Sequence, residues 1–171
     1  MRIFASKLAI AMGLLCIASF VQAQTTFNIT GTITVGTCTI AVNSGSPVNV
    51  GTFNSNSFTG SFQSGFIPNF NLSYSACAEG IETLTLKLTG TADKTTGGNV
   101  NYWDSGLPGA PFELKDAKAN VDLPPSGVTL ITIANPGASG TYPLTAQFHQ
   151  TGTLTKTGIG TTTVTVNATY N

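Results

Sequence analysis

The sequence predicts an all-β protein folded as an antiparallel sandwich, and three observations point there. Apolar and polar residues alternate with period two in segment after segment, and no stretch sustains a helical period. Only 8% of the residues are charged, so surface polarity falls to Thr, Ser, Asn and Gly, a composition that favours strands over helices. Clusters of Gly, Pro, Asn and Ser recur between the alternating segments and read as turns.

The first segment is not part of that sandwich. MRIFASK carries Arg2 and Lys7, residues 8–21 are apolar, and Val21-Gln22-Ala23 has the small-residue pattern of a cleavage site. Residues 1–23 therefore read as a secretory signal peptide, too short in its apolar run for a membrane span. Cys16 sits within this run and is expected to leave with it. Residues 24–35 then form an N-terminal extension and residues 36–171 a single domain, a size that can bury a real core. The product is expected to be exported.

Removal of the leader takes Arg2 and Lys7 with it and leaves five Lys and no Arg against seven acidic residues. A slightly negative chain argues against nucleic acid or an anionic membrane as the partner. Cys38 and Cys77 remain, and an even count in an exported chain implies a disulfide, worth roughly 4 kcal/mol for a loop of about 40 residues. A metal site is a poor alternative, because the two cysteines are far apart in sequence and the chain has a single histidine.

The strands follow in order. FNITGTITV sets Phe27, Ile29, Gly31, Ile33 and Val35 against Asn and Thr. NFNLSY puts Phe70, Leu72 and Tyr74 on one face, and ETLTLKLTG does the same with Leu84, Leu86 and Leu88. Further strands are expected at 99–103 (NVNYW), 111–117, 128–133, 142–150 and 161–170, with turns at 43–47, 54–57, 95–98, 106–111, 123–127, 135–140 and 158–160.

Catalytic signals are sparse. His149 lies in a strand pattern beside Phe148, where an edge or surface role is expected. The nearest carboxylate pairs, Glu79 with Glu82 and Asp93 with Asp104, fall in or near turns and read as solvated surface charge. No nucleophile motif or phosphate loop is present, and no cofactor is expected. Trp103 reads as a buried or turn-capping residue rather than a sugar platform.

Taken together, FNITGTITVGTC, FNLSYSAC with ETLTLKLTGTAD, PFELKDA, YPLTAQFHQTGT and the ending GIGTTTVTVNATYN resemble subunits of chaperone–usher fimbriae, the type 1 pilin family. The likeness runs across residues 24–171. Gly31 stands seven residues before the first cysteine, Gly158 fourteenth from the end, and Tyr170 is the penultimate aromatic.

The resemblance implies an incomplete immunoglobulin-like sandwich lacking its final strand and completed by donor-strand complementation. It implies a periplasmic chaperone that fills the vacancy, an outer-membrane usher, and neighbouring fimbrial subunits that replace the chaperone strand on the cell surface. Phe27, Ile29, Gly31 and Ile33 would be the donor strand. Gly158, Val164, Val166, Ala168 and Tyr170 would edge the receiving groove, with the carboxylate of Asn171 free for capture by the chaperone. The stretch ahead of Cys38 is shorter than in many rod subunits, which resembles a minor or adaptor subunit. The expected function is thus a non-enzymatic structural subunit of a fimbria that contributes to adhesion. The rival readings are a self-contained carbohydrate-binding module using Trp103 and Tyr102, and a small secreted hydrolase.

Overall fold

The structure, a computed structural model, describes residues 36–60, 62–67, 70–94 and 100–171. The leader and the donor residues Phe27, Ile29, Gly31 and Ile33 lie outside the described residues.

Two antiparallel sheets carry the fold. One is five-stranded in the order β1 (Thr39–Val42), β2 (Phe70–Ser75), β7 (Gly140–Phe148), β4 (Phe112–Asp116) and β5 (Val121–Asp122). The other is three-stranded, with β3 (Thr83–Gly90) between β6 (Leu130–Ala134) and β8 (Val164–Tyr170). Among the described residues, helix is confined to two single 3₁₀ turns, Asn43–Gly45 and Ser55–Ser57. The second starts where the Asn54 side chain accepts the Asn56 N–H at 2.9 Å.

The alternation read from the sequence sets the inner faces. Leu84, Leu86 and Leu88 of β3 are buried, as are Leu72 and Tyr74 of β2, while the polar residues between them point outward. They meet Phe112, Leu114, Tyr142, Leu144, Ala146 and Ile131 in one core between the sheets. The disulfide Cys38–Cys77 staples the start of β1 to the end of β2.

Two expectations require correction. The strand expected at 99–103 does not form over its described residues, 100–103. Residues 100 and 101 turn, and Trp103 makes single bridges to Ala92 on one side and Phe112 on the other. The indole is 1% exposed and its Nε1–H donates to the Leu123 carbonyl at 2.7 Å, so the residue stitches the two sheets together. Gly90 makes room for it, since a Cβ there would lie 2.5 Å from the indole. Asp93 is likewise not solvated surface charge: it is 2% exposed, with Thr151 Oγ1 3.4 Å from its carboxylate.

Candidate functional site: an open groove beside β8

β8 pairs with β3 along its length, from Leu84 opposite Tyr170 to Gly90 opposite Val164. Among the described residues no strand pairs with its other edge. The consequence shows in burial. Leu84, Leu86 and Leu88 are 0–2% exposed, yet Val164, Val166, Ala168 and Tyr170, on the same inner side, are only half-buried. The inward alternation also continues upstream through Gly160 and Thr162, beyond the ladder with β3. An edge of free N–H and C=O groups therefore runs beside partly uncovered core.

The facing wall is the chain after β1. Residues 47–53 form no ladder with another strand among the described residues, but Val48, Val50 and Phe53 turn inward while Pro47, Asn49 and Gly51 face solvent. Between this wall and residues 160–166 opens a cavity of about 440 Å³, floored by Leu88, Trp103, Phe112, Leu114, Leu144 and Ala146. It continues past Thr161 into a second compartment of about 680 Å³, bounded by Phe53, Phe58, Leu107, Phe148 and Leu154. The floor is made of core side chains from both sheets, so the groove is a slot in the sandwich and not a surface dimple.

The two ends differ. At one, the Tyr170 hydroxyl donates to the Cys38 carbonyl at 3.1 Å, so the phenol spans the gap and closes it. At the other, no backbone hydrogen bond among the described residues crosses between 47–53 and 156–161. Gly158 sits here with φ +148°, a backbone conformation that favours glycine, although space for a side chain exists.

The structure thus places Val164 and Val166 on the first compartment and Gly158 on the second. Ala168 and Tyr170 lie on the same strand face toward the closed end. The Asn171 main-chain oxygen accepts the N–H groups of Glu82 at 2.7 Å and Thr83 at 2.9 Å, so the turn before β3 anchors the end of β8. The wall at 47–53 was missed in the sequence; its signal was the alternation of Val48, Val50 and Phe53 between two turn clusters.

A polar network occupies the outer face of the five-stranded sheet. Glu113 and Gln147 are cross-strand partners, and Gln147 Nε2 donates to Glu113 Oε2 at 2.5 Å. His149 Nδ1 lies 2.9 Å from the same oxygen, and Lys115 Nζ 3.4 Å from the other. Burial alone would raise the Glu113 carboxyl, but the hydrogen bonds from Gln147 and His149 and the Lys115 charge hold it below its ordinary value. An ionised carboxylate only accepts, so Nδ1 carries the hydrogen and Nε2 faces the Tyr102 hydroxyl at 3.2 Å. Tyr102 stacks on His149 at 4.4 Å, and burial followed by the Glu113 charge raises its phenol. With Trp103 buried and Tyr102 stacked on protein, the two do not form a sugar platform. Among the described residues no group of three or more His, Cys, Asp or Glu could hold a metal ion.

No family model and no curated protein matches the sequence. Solved structures do. The chain is similar to the P pilus rod subunit PapA, with a TM-score of 0.62 and 16% identity over 78% of this chain and 99% of that one. It is similar also to a chain in a structure of a chaperone-usher pilus concerned with rod uncoiling, with a TM-score of 0.58 and 16% identity over 90% of this chain and 99% of that one. At such identity the likeness is one of architecture: this chain has the incomplete immunoglobulin-like sandwich of the pilus subunits.

Proposed function

We propose that the chain is a structural, non-enzymatic subunit of a surface fimbria, polymerising by donor-strand exchange. The observation that carries this reading is the slot beside β8, where an unpaired strand edge borders core side chains from both sheets. An extended peptide fits such a site by β-augmentation, its main chain completing the ladder and alternate side chains entering the slot. Residues 24–35 of a neighbouring copy supply such a peptide. Phe27, Ile29 and Ile33 fall on one face, and Gly31 permits close backbone approach. Burying three such side chains is worth roughly 1.5–3 kcal/mol each, partly offset by ordering the arm.

On this reading a periplasmic chaperone covers Val164, Val166, Ala168 and Tyr170 before assembly. An outer-membrane usher then exchanges the chaperone's strand for the next subunit's arm. The short extension fits a minor or adaptor position, and the fibre contributes to adhesion.

The test is a deletion of residues 24–33. The truncated subunit should still be captured by chaperone and still accept an arm, but should never fill a neighbour's slot. If it is incorporated as a donor, the assignment of the arm is wrong.

A further inference from the structure

We propose that successive copies also touch body to body, the rim at Lys156 and Ile159 of the accepting copy meeting the turn at residues 76–82 of the donating copy. This rests on the strand-exchange reading and adds a surface to it. The argument begins with direction. Because Tyr170 bridges one end of the slot to Cys38, the open Gly158 end is where a second folded body can approach, and an inserted arm leaves toward its own body there. Its C-terminal residues therefore lie beside the start of β8, and it runs antiparallel to that strand.

The donor's body then arrives at a specific rim. Ile159 is 90% exposed, the most exposed of the large apolar side chains on the described surface. Lys156 is exposed beside it and, among the described residues, has no carboxylate within ion-pair reach. Both bound the open compartment.

The donor's surface at the root of its arm is equally defined. Gly36 lies flat on the turn after β2, where an added Cβ would stand 1.9 Å from that of Ala78. The same turn holds Glu79 and Glu82, both exposed and without an ion-pair partner among the described residues. Only Thr34 and Val35 separate Ile33 from Gly36, a reach of about 10 Å at full extension. The acidic turn is thus delivered to the basic, apolar rim, a head-to-tail contact in which each copy uses two different surfaces.

The experiment follows dissociation of joined full-length chains by exchange of labelled subunits, with binding of a synthetic peptide of residues 24–35 measured on the same variants. Lys156→Glu in the acceptor should speed dissociation ~2–5-fold, and Ile159→Ser ~10-fold. A donor carrying Glu79→Lys and Glu82→Lys should restore the Lys156→Glu joint, and any loss of peptide affinity should be smaller than the loss in the lifetime of the joint. Unchanged dissociation overturns the proposal. So does a matching loss of peptide affinity, which would assign both residues to the slot itself. Failure of the peptide to bind even the wild type would overturn the strand-exchange reading, and this contact with it.

Discussion

Glu113 shows what the fold adds to a single residue. In sequence it is one acidic residue in PFELKDA, pointing away from the core as the alternation requires. In the fold it is 7% exposed, because Gln147, His149, Tyr102 and Lys115 close over it from neighbouring elements. Its carboxyl is depressed in the folded protein, so its contribution is complete above the ordinary carboxylate range and is lost as pH falls through the folded value. Glu113→Gln should therefore cost about 1–2 kcal/mol near neutral pH. Its melting temperature should fall less steeply than the wild type's below about pH 4.5. Parallel curves for the two proteins in thermal melts across that range would remove Glu113 as a source of acid sensitivity.

At the scale of the element, β8 divides what sequence can show from what it cannot. The strand and its inward face were legible, because Val164, Val166, Ala168 and Tyr170 alternate with polar residues up to the end. The free edge was not, since alternation is the same whether a strand has one partner or two. It entered only through the resemblance, and in the structure it appears as the lost burial of β8 relative to β3. The turn at residues 100–102 escaped for another reason: NVNYW has strand-like residues, but Trp103 is drawn between the sheets and its neighbours turn around it. Substitutions on the two faces of β8 separate packing from arm binding. Val166→Asp puts a charge on the slot wall and should reduce affinity for the 24–35 peptide more than ~100-fold. Thr165→Asp, one residue away on the exposed face, should leave it within about 3-fold. Calorimetry on both variants reads the difference, and equal losses would show that the peptide binds elsewhere.

At the scale of the molecule, the sheets are joined by one core but flanked by unequal edges. β3 and β7 are each paired on both sides, whereas β8 and the wall at 47–53 face each other across a slot with nothing between them among the described residues. The closed Tyr170 end and the open Gly158 end give that slot a direction. The central claim is that the sandwich lacks a strand and gains stability when one is supplied. The most direct measurement appends residues 24–35 after Asn171 and compares thermal unfolding with that of the unmodified chain. Antiparallel insertion needs a linker of only about 4–6 residues at the Tyr170 end, whereas a parallel strand needs one spanning about 35 Å, the length from Gly160 to Tyr170. The account predicts a rise in melting temperature of more than ~15 °C with the short linker, abolished when Ile29 and Ile33 of the appended copy are replaced by Asp. An unchanged melting temperature with short and long linkers alike would contradict it and mark the sandwich as complete without a borrowed strand.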